Sequence, residues 1–269
     1  MDRILGYLLD DLAALRACSL TCKRLFGAAR PFIHRRFVYL GSKPGSPQPK
    51  KSLFGLRGRD PAGLERLIDA DRSGVLGYTQ HLTLNLTGIS SSSCFNPKHM
   101  QKCLPYLRSI TKLHTLTLRT FPLRLFVPVF NDHFGIFTNT LRHLDIRNAC
   151  ITEQQLSYII CQFPLLEDLT IVSPAETVAG RGLHVPTITQ SPPLRGTLVL
   201  AQIRSTGLYE GLAAFPGGLN FRSMELFNCE DPRTVFAACG HTVMWMSYLW
   251  LWGAIYSEPH PSIQVHIAL

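Results

Sequence analysis

Six short segments of the chain carry apolar residues at one spacing, three residues apart and then two. They are Thr79–Leu82–Leu84, Leu113–Leu116–Leu118, Leu141–Leu144–Ile146, Leu166–Leu169–Ile171, Arg195–Leu198–Leu200 and Phe221–Met224–Leu226. They recur about every 25 to 34 residues, a period typical of stacked structural repeats. One such unit cannot bury its own apolar face, whereas stacked units share a continuous core. The spacing therefore predicts an α/β chain with short parallel strands on one side. Leu116, Leu144 and Leu169 are expected in a single interior column.

Residues between the apolar positions of a strand point to its other face. Thr83, Asn85, Thr117, Arg119, His143, Asp145, Arg147, Thr170 and Glu225 are thus expected on an open face, together with His81, Thr115, Asp168 and Ser223. That face is the candidate partner-binding surface. His143 and Asp145 share it, but no nucleophile or further ligand converges on them in the pattern, so no catalytic residue is assigned.

Helix signals lie between the strands. Asn96-Pro97 and Asp231-Pro232 each set a cap beside a proline, and Thr152-x-x-Gln155 has capping-box spacing. Strand, loop, capped helix, strand is the unit of a leucine-rich repeat. The array is irregular. The position three past the last repeat leucine, usually Asn or Cys, is Thr87, Phe121, Ala149, Pro174, Ile203 and Cys229. An internal asparagine ladder is missing, so the loop backbone needs other partners. The fifth unit is weakest, with Arg195 at its first apolar position, after a Gly- and Pro-rich stretch over 179–193.

Charge divides the 269 residues unevenly. Residues 1–60 hold 12 Lys and Arg against 4 Asp and Glu, so most of the net charge of +9 lies there. The repeat region is nearly neutral, which argues against a nucleic-acid channel along it. Residues 41–60 are basic and rich in Pro and Gly, a linker composition. Residues 1–36 read as helical, with Asp10 or Asp11 capping a helix whose stripe is Leu12, Leu15, Cys18, Cys22 and Leu25. Phe37 to Leu40 reads as a strand, and Pro61 to Arg72 as a helix.

Hydrophobic content of 46% excludes global disorder. Asp2, Arg3, Asp10 and Asp11 interrupt any secretory leader. The 8 cysteines contain no Cys-x-x-Cys pair and read as buried thiols of a reducing compartment, cytoplasmic or nuclear. Cys229, Cys239 and His241 fall short of a zinc set, so no metal and no cofactor is expected. The apolar stretch 235–256 leaves three readings open: a final repeat around Val243-x-x-Met246-x-Tyr248, a membrane anchor, or an aberrant end. The helix signals before it favour the repeat, and no membrane partner is expected.

Three runs carry a family resemblance: residues 2–8, Asp-Arg-Ile-Leu-Gly-Tyr-Leu; residues 11–25, Asp-Leu-Ala-Ala-Leu-Arg-Ala-Cys-Ser-Leu-Thr-Cys-Lys-Arg-Leu; and residues 29–37, Ala-Arg-Pro-Phe-Ile-His-Arg-Arg-Phe. Together they resemble an F-box. With the repeats, residues 2–241 are similar to the F-box-like leucine-rich repeat proteins of mushroom-forming fungi. The family's opening Leu-Pro-x-Glu is absent, and its usual late tryptophan is Leu25, so the likeness is to a partial F-box. The resemblance implies a helical segment over 1–40, a linker over 41–60 and an irregular leucine-rich repeat solenoid over 61–269. It implies docking of a Skp-type adaptor of a cullin ubiquitin ligase through Leu5, Leu8, Leu12, Leu15 and Cys22. The expected function is a non-enzymatic substrate receptor, with an unknown protein target on the open strand face. A binding scaffold with a vestigial F-box outside any ligase, or a truncated nonfunctional product, remains the alternative.

Overall fold

Alternating apolar residues become strands, and the intervening capped stretches become helices, giving an α/β chain. The structure, a computed structural model, describes residues 11–40, 63–85, 104–121, 130–149, 151–172, 194–204, 206–215, 217–239, 242–250 and 263–268, and the single positions 5, 7, 8, 123 and 192. The linker 41–60, the Asn96-Pro97 helix start, most of the 179–193 stretch and His241 lie outside the described residues. Contacts cluster into two units, Met1–His114 and Thr115–Leu269.

The first unit contains α1 (Leu12–Thr21), α2 (Lys23–Ile33), β1 (Arg36–Leu40), α3 (Gly63–Arg72) and β2 (His81–Asn85). Asp11 caps α1, its carboxylate accepting from the Ala14 N–H at 2.8 Å. Leu5, Leu15 and Ala29 form a small buried cluster, with Leu8, Cys18, Phe32 and Ile33 packed against it. The apolar stripe expected from Leu12 through Leu25 is broken. Cys22 is extended (φ −160°, ψ 161°) and caps α2, its Sγ accepting from the Leu25 N–H. The hydroxyls of Ser19 and Thr21 bond back to the carbonyls of Arg16 and Cys18, a local alternative that weakens a helix end. Leu12, the first residue of α1, is 41% exposed.

β1 lies parallel to β2, with Phe37 opposite Leu82 and Tyr39 opposite Leu84. The N-terminal segment therefore supplies a strand and is not a detached domain. Arg30 strengthens the join. Its guanidinium donates to the Ser73 carbonyl and lies 5.7 Å from the Tyr78 ring centre.

The second unit contains β3 (Thr115–Arg119), α4 (Phe130–Phe134), β4 (His143–Arg147), α5 (Glu153–Cys161), β5 (Asp168–Val172), β6 (Thr197–Ala201), α6 (Thr206–Ala213), β7 (Ser223–Phe227), α7 (Arg233–Cys239), β8 (Trp245–Trp250) and β9 (Ile263–Ala268). Strands β3 to β8 are neighbours in chain order and parallel; β9 returns antiparallel to β8. Leu116, Leu144, Leu169, Leu198 and Met224 stand in register as one column. Each is at most 1% exposed. β8 is the strand that the Val243-x-x-Met246-x-Tyr248 spacing allowed. Among the described residues no helix is long and apolar enough to cross a membrane.

Four of the described strands end in the same way. Thr120, Asn148, Gln202 and Asn228, the residues just after β3, β4, β6 and β7, have φ between 50° and 56°. This left-handed conformation costs non-glycine residues roughly 1–2 kcal/mol each. The N–H groups of Thr120, Asn148 and Gln202 donate to the last carbonyl of the next strand, at Arg147, Val172 and Phe227 (2.7–2.9 Å). The next residue turns inward: Phe121, Ala149, Ile203 and Cys229 are fully buried. These are the positions where an asparagine ladder was missing. Other donors serve there: Glu230 N–H donates to the Ile203 carbonyl at 2.9 Å, as does the Tyr209 hydroxyl at 3.4 Å, and the Cys229 thiol donates to the Leu200 carbonyl at 3.2 Å.

The fifth repeat solves its defect differently. Arg195 is exposed, and the neighbouring Leu194 fills the interior instead. Leu194 reaches inward only because its φ is 42°. α5 begins with the expected capping box. Thr152 accepts from the Gln155 N–H at 3.3 Å, and the Gln155 side chain accepts from the Thr152 N–H at 3.1 Å. At α7 the expected cap differs, because the Asp231 carboxylate is held by the Arg233 guanidinium at 2.5 and 2.7 Å.

Leu144→Ala removes a side chain from the middle of the column and is expected to cost about 2–5 kcal/mol, as buried leucine truncations do. Urea unfolding measures it. A loss below about half a kcal/mol would contradict the burial.

Candidate functional site: the open face of the second-unit sheet

Parallel strands usually have both faces covered. Here the inward residues of β4 to β7 are sealed by the helices, while the outward ones stay half-exposed. Register sorts the outward side chains into rows. His143 lies opposite Asp168, and Thr197 opposite Ser223, which lies opposite Trp245. The next row runs Thr117, Asp145, Thr170, Val199, Glu225 and Ser247. The last described row begins Arg119, Arg147, Val172, Ala201 and Phe227.

The sheet therefore brings Arg119, His143, Asp145, Arg147, Thr170 and Glu225 onto one face. Thr83 and Asn85 alternate outward on β2 of the first unit. Thr117 departs from the expectation. It is 8% exposed, a short side chain between Arg119 on its own strand and Asp145 opposite. Sequence alternation marked polar outward positions and passed over the apolar ones: Val172, Val199, Ala201 and Phe227 form a half-buried band toward β7. The signal was present, because each stands between two inward positions or at a strand end. The face is thus charged at β3–β4 and crossed by an apolar band from Val172 to Phe227 with Glu225 beside it, the mixture that protein-binding surfaces show.

Two ion pairs fix the charged part. Asp145 accepts the Arg147 Nε–H with both carboxylate oxygens, at 2.8 and 2.9 Å, and this hydrogen bond raises the arginine's pKa. His143 Nδ1 meets the Asp168 carboxylate across β4 and β5. Asp168 also accepts the Thr197 N–H, so one side chain ties β4, β5 and β6 together. Gly196 permits this. A Cβ there would stand only 2.7 Å from the Asp168 carboxyl carbon. The hydrogen bond to Asp168 raises the His143 pKa against the effect of burial. Burial pushes the Asp168 carboxyl up, but the His143 bond and the Thr197 N–H outweigh it and the net shift is down.

The adaptor positions implied by the F-box resemblance divide in two. Leu5 and Leu15 are at most 2% exposed and lie within the helical cluster, with Leu8 beside them. Leu12 and Cys22 face solvent. Apolar groups that the motif did not mark are more exposed still: Leu20 at 86% and Phe26 at 51%. Cys22 is an exposed thiol whose pKa is lowered by the Leu25 N–H, whereas burial pushes Cys161 and Cys239 up to about 11 and about 12. Comparison of the chain with protein-family models, with curated proteins and with solved structures finds no match.

The His143–Asp168 pair predicts a defined pH dependence. A raised histidine pKa stabilises fully below the ordinary value of 6.5, and the gain is lost as pH rises through the folded value. A lowered aspartate pKa stabilises above 3.8, and that gain is lost as pH falls through the folded value. The pair therefore contributes most between about pH 4 and 6.5. His143→Gln should lower the urea midpoint more at pH 5.5 than at pH 8.5. An equal loss at both would mean that the ion pair carries no charge-dependent stability.

Proposed function

We propose that the chain is a non-enzymatic interaction protein, an F-box-like receptor that holds a protein target near a ubiquitin ligase. In this reading the second unit is an irregular leucine-rich repeat array. Its open face takes the target, the helices of the first unit take a Skp-type adaptor, and transfer chemistry proceeds on the adaptor's ligase partners. One observation carries the reading: α1 and α2 expose Leu12, Leu20 and Phe26 while Leu5, Leu15 and Ala29 complete their core beneath. Large apolar side chains that serve no interior mark contact surfaces when they share a face or a helix pair.

One observation favours the rival reading, a scaffold outside any ligase. Leu5 and Leu15, which the resemblance assigns to the adaptor, belong instead to the segment's own core. The adaptor interface must then be smaller than the family's, with less apolar area to bury at about 25 cal/mol per Å².

Calorimetric titration of a purified Skp-type adaptor into the full chain decides between them. Because β1 is paired with β2, the whole chain and not an N-terminal peptide is the species to use. Binding is expected, and Leu20→Asp with Phe26→Asp should weaken it at least tenfold, about 1.4 kcal/mol. Both positions are exposed, so the melting temperature should hold. An absence of heat at tens of micromolar would favour the scaffold.

A further inference from the structure

At the end where the strands begin, one row of backbone runs across five chain segments. Glu167 N–H donates to the Arg142 carbonyl, Gly196 to Glu167, Arg222 to Gly196, and Met244 to Arg222. Every residue of that row but one carries a long side chain. The exception is Gly196, at a notch in the row whose near side the Asp168 carboxylate fills. Around it opens a depression of about 560 Å³ lined by Glu167, Arg195, Gly196, Thr197, Arg222 and Ser223.

The charges of the depression are unevenly committed. Glu167 is paired with Arg142, and Asp168 behind it is held by His143 and the Thr197 N–H. Arg195 and Arg222 are both exposed and have no partner among the described residues. The sequence has no lysine after Lys112, and these two guanidiniums, planar and five-donor, are the cations of the notch that have no partner among the described residues. The backbone presents one of them by a specific device. In the other described repeats of this unit the residue matching Arg195 is apolar and buried: Leu141, Leu166, Phe221 and Val243. Here Leu194 takes the inward place at φ 42°, and Arg195 is turned out beside the notch. Next along the row stand Met244, 66% exposed, and Trp245, 39% exposed.

From these we infer that the Gly196 notch binds an acidic segment of a partner protein. A carboxylate side chain enters between Arg195 and Arg222, and a neighbouring apolar side chain rests on Met244 and Trp245. Two arginine forks favour carboxylate recognition by paired N–H···O bonds. The inference deepens the proposed receptor function by naming the chemistry of the target, and it rests on the second unit acting as a binding surface. It does not depend on the adaptor helices.

The probe is a fluorescein-labelled octapeptide of alternating glutamate and leucine, followed by anisotropy with the full chain. Controls are the same peptide with glutamine for glutamate, a lysine–leucine peptide and a single-stranded octanucleotide. The acidic peptide is expected to bind at least tenfold more tightly than the glutamine and lysine peptides and the oligonucleotide. Arg195→Gln with Arg222→Gln should abolish that preference, while Arg233→Gln, on α7 and already paired with Asp231, should leave it. Arg195→Glu with Arg222→Glu should transfer the preference to the lysine peptide, which a merely unfolded variant cannot do. Equal binding of acidic and glutamine peptides, tighter binding of the oligonucleotide, or an equal loss in Arg233→Gln would overturn the inference. Adaptor binding measured in the same variants separates the outcomes. If it persists while the peptide preference is absent, the receptor reading stands and the acidic notch falls.

Discussion

The second unit depends on backbone amides handed from each strand end to the next. A parallel strand cannot turn directly into its neighbour; it must leave, cross over and return, and the crossover leaves N–H and C=O groups without a ladder. Thr120, Asn148 and Gln202 meet this demand by entering the left-handed region and donating to the last carbonyl of the following strand. The opposite ends are closed by the row from Arg142 to Met244. The pairs β4–β5 and β6–β7 are thus pinned at both ends, and β3–β4, β5–β6 and β7–β8 at one. A slip of one residue would turn every inward leucine to solvent. These end bonds help to hold the register in which the column from Leu116 to Met224 stands.

These amides, with the Cys229 thiol and the Tyr209 hydroxyl on loop carbonyls, are how the described loops do without interior asparagines. Elsewhere a polar side chain would satisfy the loops from within. Here the interior loop positions are Phe121, Ala149, Ile203 and Cys229, which bring apolar volume instead. Around the first of them Phe130 and Phe134 stack at 4.6 Å, and Phe121 meets Phe134 edge-on at 6.3 Å. The loops become an extension of the core. Left-handed strain at four non-glycine residues, on the order of 1–2 kcal/mol each, is offset by burial of one side chain per turn, worth about 1.5–3 kcal/mol for a large apolar group.

What was legible in the sequence was whatever repeats. Alternation placed the strands and their inward columns, because a period of two has only two phases. Capping chemistry placed α5, because Thr152 and Gln155 act on adjacent backbone. Features set by a single competing interaction were not legible. The break at Cys22 arises where hydroxyls of Ser19 and Thr21 turn back on the helix, and the apolar spacing runs through it unmarked. Leu194 replaces Arg195 inside by a backbone angle that no spacing encodes. Of the open face, the positions could be read but the pairing could not. Asp145 and His143 were both visible as neighbours on β4, yet Asp145 turns along its own strand to Arg147 while His143 reaches across to Asp168. Strand spacing permits either choice, and local packing makes it.

The departures from regularity gather on one stretch, β5 to β7. Asp168 reaches over Gly196 to the Thr197 amide, Gly196 is small because that carboxylate needs the room, and Leu194 inverts so that Arg195 faces out. The three irregularities are linked. A side chain at 196 would expel Asp168, which would release His143 and the Thr197 amide together. An ordinary leucine at 195 would restore the repeat, relieve Leu194 and remove a cation from the surface. The inversion keeps the interior filled, since Leu194 is fully buried in place of the residue at 195, and it sets an arginine on the surface beside the notch. Arg195 and Arg222, without a partner among the described residues, are the groups that the proposed anion from outside the chain meets there.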